Sequence, residues 1–292
     1  MSDLTIVKGK QTRAQKILGV FGKSFVNALL VFIALFWLIP SIGLFITSFR
    51  SVGDSSSSGW WTALTAPAQL TIANYTSLLQ NDAITSSLLN TILIVVPTTI
   101  LVILIGALAG YAFAWMEFPG RDWLLIAVIM LLAVPLQVAL IPVARMFGLL
   151  GIFGSIPGVI LFHVAFGLPF AIFLLRNFFT QIPKEVLEAS RVDGASEWHI
   201  FTRVVLPLGG PAIASLAIFQ FLWTWNDLLI GLIFTNAQSQ PITVAIQSQL
   251  RQFGANIDVL SAGAFLSMII PLIVFFAFQR YFVDALLQGS NK

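Results

Sequence analysis

The chain has 292 residues, of which 58% are hydrophobic and only 9% charged, with a net charge of +3, a mean hydropathy of +0.94 and no cysteine. A soluble domain carries about 25% charged residues, so this composition excludes one and points to an integral membrane protein. Disulfide and thiol chemistry are excluded as well, and the basic residues form no stripe of the kind that tracks nucleic acid.

Residues 1–22 are polar and basic, with scattered apolar positions at Ile17, Leu18, Val20 and Phe21. A short cytoplasmic helix on the inner leaflet and a disordered tail both fit that pattern. The apolar run that follows is too long for a signal peptide and is followed by no small-x-small cleavage site, so an uncleaved first span is expected.

Crossing about 30 Å of hydrocarbon takes about 20 helical residues. Six apolar windows meet that length: 26–49, 87–116, 123–144, 156–175, 206–235 and 260–282. They are continuously apolar, whereas barrel strands alternate over about 10 residues. The expected fold is therefore an all-α membrane protein, one membrane domain over 1–292 with six transmembrane helices. Pro40, Pro97, Pro135, Pro142, Pro169 and Pro271 lie within or near the windows, where neighbouring helices satisfy the freed backbone groups, so kinks rather than breaks are expected.

Lys and Arg are retained on the cytoplasmic side. With the N-terminus inside, the inner segments hold Lys8, Lys10, Arg13, Lys16, Lys23, Arg121, Arg176, Lys184, Arg191, Arg203, Arg280 and Lys292. Only Arg50, Arg145 and Arg251 fall outside. The chain reads as N-in/C-in.

Between the windows, the first outer loop contains a flexible serine run at 55–58 followed by Trp60 and Trp61, residues suited to a membrane interface. A tight Pro-Gly turn joins the second and third windows at 117–122. The long inner loop, 181–207, is the most polar stretch on that side. Pro183 suits the first turn of a helix, and Gly194 suits its end. Glu185 and Glu188 favour its dipole, and Arg191 lies three residues beyond Glu188 on the same face. Ser196 caps a second helix running through Trp198 and Phe201 toward the fifth window. Val186, Leu187, Val192, Trp198 and Phe201 would make an exposed apolar patch, fit for a partner protein or for lipid headgroups.

The order Glu188-Ala189-Ser190, three residues, Gly194, nine residues, then Val204-Val205-Leu206-Pro207 resembles the signature loop of permease subunits of ATP-binding-cassette importers. That signature is Glu-Ala-Ala, three residues, Gly, nine residues, Ile-x-Leu-Pro; Ser190 and Val204 depart from it conservatively. The fuller string from Glu188 to Ser196 with Phe201, the motif Phe221-Leu-Trp-Thr-Trp-Asn-Asp227 and the terminal Gln279-Arg-Tyr-Phe-Val283 are similar to the carbohydrate branch, the maltose-type MalG-like subunits. The resemblance implies a multi-pass protein of a prokaryotic plasma (inner) membrane with a coupling helix before the fifth span. It implies that Glu185, Glu188, Ala189, Ser190, Asp193, Gly194, Ala195, Trp198 and Phe201 contact an ATPase subunit, with Glu188 paired to a basic group there and Gly194 making the bend. The implied partners are a homologous second permease, two ATPase subunits, an extracytoplasmic solute-binding protein touching the outer loop 236–259, and membrane lipid.

The chain itself lacks a phosphate cradle. Gly19-Val-Phe-Gly22-Lys23-Ser24 places only two residues between its glycines, and Ile17 stands where the first glycine belongs. ATP and Mg are thus expected on the partner, and no cofactor, metal cluster or nucleophile–base pair is expected here. Within the windows, apart from Arg280 at the inner end of the sixth, the ionisable side chains are Asp227 and His163, thin material for an ion-coupled carrier, the alternative reading.

Sugars are met by aromatic faces and by polar groups that fix hydroxyls. Candidate path residues are Trp223, Trp225, Asn226 and Asp227 in the fifth window and Gln137 in the third, with Asn90 near the outer end of the second. In a continuous helix Asp227 would lie about 30 Å beyond Pro207. The tryptophans fit an interfacial belt better than sugar stacking, Asn226 and Asp227 equally fit capping of a helix break or bonding of a neighbouring helix, and His163 fits an interhelical hydrogen bond. The expected cargo is an oligosaccharide or glycoside, with glycerol phosphate or another polar solute as the variant.

Overall fold

The computed structural model describes residues 13–253 and 257–290, with side chains over 24–249 and 259–279. Among these residues the structure is helical apart from two isolated bridges, Arg50 with Leu70 and Gly154 with Thr235. Helix α1 (Arg13–Ser48) leads to a cap made of α2 (Val52–Ser57), two 3-10 turns (Trp60–Leu64 and Pro67–Gln69) and α3 (Ala73–Leu79). Helix α4 (Asp82–Trp115) runs back, α5 (Arg121–Leu131) and α6 (Leu136–Leu149) follow with a sharp bend between them, and α7 (Ile156–Phe179) runs in the direction of α4. A loop follows, built of α8 (Lys184–Val192), α9 (Glu197–Ile200), a π turn (Phe201–Val205) and α10 (Leu206–Leu208). The chain closes with α11 (Gly210–Trp225), α12 (Leu229–Phe234), α13 (Ile242–Phe253) and α14 (Ile257–Ser290). The expected tail at 1–12 and the side chains of 280–283 lie outside the described residues.

Among the described residues four segments are long and apolar enough to cross a membrane: Ser24–Ser48, Asp82–Trp115, Ile156–Phe179 and Val259–Gln279. Two more candidates are bent pairs, Arg121–Leu131 with Leu136–Leu149 at 100° and Glu197–Leu208 with Gly210–Trp225 at 75°. The third and fifth windows are therefore broken where continuous helices were expected. At the first break Pro135 lacks an N–H and biases Val134 away from helical backbone, and Pro135 itself is extended at ψ 127. The second follows Gly209-Gly210-Pro211, the sequence least able to keep a helix straight.

The bundle is organised by α4 and α7, which run side by side in the same direction. Gly106 and Gly110, with three residues between them, let the backbones approach. A Cβ on Gly106 would stand 2.8 Å from Ala171 Cβ, and one on Gly110 3.1 Å from the Arg176 nitrogen. Small residues at such spacing drive helix association where lipid supplies no hydrophobic force. Near the loop, Tyr111, Leu175, Phe179, Leu187, Ile200, Val205 and Leu216 share one buried cluster. Toward the opposite end, Ile94, Phe147, Phe162, Ile230 and Phe234 form another.

The cap corrects another expectation, because its serine run is ordered around a buried cation. Arg50, 1% exposed, donates to the carbonyls of Asp54 and Ser58, to Ser58 Oγ and Thr62 Oγ1, and to Gln69 Oε1. A buried guanidinium is tolerated only with its donors satisfied, and this one organises every turn around it. Asn74 ties the cap to the end of α1 by donating to the carbonyls of Ser48 and Arg50 at 2.9 and 2.8 Å.

Candidate functional site

Two places gather the residues singled out by sequence: the loop between α7 and α11, and the break after α11. In the loop, α8 ends as expected, with Asp193 at its C-cap and Gly194 left-handed at φ 81°. Residues other than glycine and asparagine are strained there, and the space around a Cβ is open. Ser196 Oγ accepts from His199 N and caps α9.

The ion pairs differ from the expected one. Lys184 binds Glu188 at 2.8 Å one turn along α8, while Arg191 reaches across the bend to Glu197 at 2.9 Å. Glu197 lies nearer because the turn at Gly194 folds α9 back toward α8. The hydrogen bond from Lys184 holds the Glu188 carboxyl below its ordinary value and raises the Lys184 ammonium. Hydrogen bonds from Arg191, then from Tyr111, lower Glu197 likewise.

The apolar patch is narrower than expected. Leu187 is fully buried and Phe201 nearly so, because they anchor the loop in the bundle core. Val192 and Trp198 remain outward at 87% and 65% exposure, with Val186 partly so. Glu185, Ala189, Ser190 and Asp193 belong to or adjoin α8, where Ser190 Oγ donates to the Val186 carbonyl. Ala195 packs against the buried cluster.

At the other end, α11 stops at Trp225 and Asn226 forms its C-cap. Asp227 is thus not the outward continuation of one helix; it serves the break, its Oδ2 accepting from Ile230 N and Gly231 N in the first turn of α12. Thr243 Oγ1 donates to the Asp227 carbonyl, tying the break to α13. His163, buried on α7, stands 3.8 Å from Asp227 Oδ2, a pairing that sequence alone kept apart. Asn226 Nδ2 turns back to the Leu222 carbonyl.

The two tryptophans separate. Trp225 is buried, stacked on Phe221, and donates its indole N–H to the Ser267 carbonyl, so it faces α14 rather than a path. Trp223 is largely exposed and lines a groove of about 460 Å³ with Leu131, Val134, Phe166, Pro169 and Phe170, beside the bend between α5 and α6. Gln137 is exposed on the first turn of α6, outside that lining. Asn90 is structural, donating to the carbonyls of Gln238 and Gln240.

Sequence reasoning missed Tyr111, Arg50 and the buried Gln220, which donates to Thr224 Oγ1. The signal for Tyr111 was a hydroxyl directly after Gly110, at the loop end of an apolar window. Among the described residues no group of three or more His, Asp or Glu is placed to hold a metal.

Residues 102–288 match the family described as binding-protein-dependent transport system inner membrane component. An osmoprotective compounds uptake permease protein of Synechocystis sp., GgtD, is 49% identical over 89% of each chain. An alpha-glucoside transport system permease protein of Rhizobium meliloti, AglG, is 45% identical over 84% of this chain and 68% of its own. A trehalose transport system permease protein of Mycobacterium tuberculosis, SugB, is 35% identical over 77% of this chain and 84% of its own. A chain of a bacterial ABC transporter that imports alginate has the same fold, with a TM-score of 0.77 over 93% of this chain and 99% of that one at 22% identity.

Proposed function

Because this chain belongs to the family of binding-protein-dependent transport system inner membrane components, we propose that it is a permease subunit of a sugar-importing ABC transporter. The two bent pairs complete six spans, the fifth being Gly210–Trp225 entered from the loop through Glu197–Leu208, with both termini and the 181–207 loop in the cytoplasm of a prokaryote. The charge asymmetry of the connecting segments supports that orientation. A homologous permease completes the path, two ATPase subunits carry ATP and Mg, and a solute-binding protein docks at the end bearing the cap and α13. Binding of the loaded receptor and closure of the ATPases select opposite-facing states.

The observation that carries this reading is the loop itself: α8 and α9 meet at a left-handed Gly194, are anchored by Leu187, Ile200 and Phe201, and point Val192 and Trp198 away from the bundle. A surface lacking the anchor would slide on lipid; one lacking the exposed residues would grip nothing. The groove beside Trp223 has an aromatic and aliphatic lining with no charged residue. It suits the face of a neutral sugar ring better than a phosphate, and the names of the glucoside and trehalose relatives support the same class. The ion-coupled carrier loses ground because the Asp227 carboxylate is occupied in capping α12.

The chain purified in detergent is expected to bring down an ATPase whose turnover rises when a receptor and its sugar, drawn from a panel of α-glucosides, are supplied. Uptake in vesicles should follow ATP and ignore a proton uncoupler. Uptake that collapses with the uncoupler and proceeds without an ATPase would overturn the proposal.

A further inference from the structure

The loop transmits force only through the contacts that fasten it to the bundle. Most of these are apolar: Leu187, Ile200, Phe201 and Val205 sit in the cluster shared with α4, α7 and α11. Such contacts resist separation but are non-directional. One hydroxyl of the bundle meets the polar side chains of the segment 184–208: that of Tyr111, which donates to Glu197 Oε2 with Arg191 beside it.

That carboxylate is shared. Arg191 Nε donates to Glu197 Oε1 at 2.9 Å and Arg191 Nη2 reaches Oε2 at 3.5 Å. Arg191 belongs to α8 and Glu197 to α9, so one group closes the bend at Gly194 and fastens it to α4. Tyr111 is 4% exposed, and its ring lies 5.2 Å from that of Phe201. It directly follows Gly110, where α4 meets α7 so closely that a Cβ would stand 3.1 Å from the Arg176 nitrogen. A displacement of the hydroxyl is delivered beside a close approach of the two helices.

We propose that Tyr111 and Glu197 are positioning residues that carry movement of the loop into α4. Apolar packing alone would let the loop tilt under a docked ATPase while α4 stayed behind; the directional bond makes α4 follow. The inference rests on reading the loop as the ATPase contact.

The test uses the complete transporter in proteoliposomes, comparing Tyr111→Phe, Glu197→Ala, their combination and Glu197→Gln. Phenylalanine keeps the ring on Phe201 and removes only the hydroxyl. Assembly and ATP turnover should persist in each variant. Sugar imported per ATP should fall on the order of fivefold in Tyr111→Phe and Glu197→Ala, with the double variant no worse than either. Glu197→Gln, which keeps an oxygen for Tyr111, should recover part of the loss. Unchanged import per ATP in Tyr111→Phe, additive losses in the double variant, or a complex that falls apart would each overturn the inference. A wild-type chain that binds no ATPase would remove the proposed function and this inference together. A coupled wild type matched by its variants would remove the inference alone.

Discussion

The bend at Gly194 and the break at Asp227 both join two helices through a few residues, yet they are made of different materials. The first is set by backbone: Gly194 has φ 81°, its surroundings are open, and the flanking Val192 and Trp198 face outward. The second is set by side chains inside the bundle, where Asp227 caps α12, Thr243 holds the Asp227 carbonyl and His163 stands close by. A bend made in open space leaves its surface free to meet another protein. A bend made of buried polar groups belongs to the fold, because removing any partner strands the others in a medium with no water.

Substitution of the two bends should therefore damage different properties. Gly194→Val forces a β-branched residue into left-handed backbone, a strain of about 1–3 kcal/mol. It should depress the docking conformer and lower uptake by roughly tenfold or more, while membrane insertion and thermal stability in detergent stay near wild type. Gly194→Asn should remain close to wild type, since asparagine enters that region readily. Full uptake by Gly194→Val would break the comparison. Asp227→Ala should do the reverse in kind: loss of the cap costs about 1–2 kcal/mol, read as a lower melting temperature, with Asp227→Asn falling between because it retains one acceptor. A melting temperature unmoved in Asp227→Ala would show that the break holds itself by packing alone.

What the sequence revealed and what it hid follow from the solvent. Lipid demands long apolar stretches, so the four windows that became long apolar helices were legible, as was the loop, where Pro183, Gly194 and Ser196 each have one well-defined use. Hydropathy is blind to which apolar surface meets protein. The spans in α1 and α7 are comparably apolar, but 6% of one window and 50% of the other are buried within this chain. For the same reason Leu187 and Phe201 were read as exposed beside Val192, and Trp225 as a path residue beside Trp223. The break at Pro135 was expected only as a kink, because proline within a span is compatible with a kink or a stop and only the neighbouring helices decide; at Asp227 capping of a helix break stood beside solute contact, and capping is what the structure shows. Tertiary partners across long separations, such as Tyr111 with Glu197 and His163 with Asp227, leave no trace in local spacing.

The smallest expected effect concerns the ion pair that closes the Gly194 bend. Glu197 has its carboxyl held below the ordinary value of 4.5 by Arg191 and then Tyr111, so the folded state favours the ionised form. Its contribution is fully present above the ordinary glutamate value and is lost as pH falls through the lowered one. Glu197→Gln removes the charge and keeps an acceptor for Tyr111, so the stability difference between wild type and this variant isolates the attraction to Arg191. That difference should be constant from neutral pH down to about 4.5 and vanish below it. Both side chains are about 40% exposed, so solvent and salt screen the pair, and the difference should shrink further at high ionic strength. A difference that instead grew on acidification would mean that Arg191 is not the group holding Glu197, and that the bend is closed by its backbone and apolar anchors.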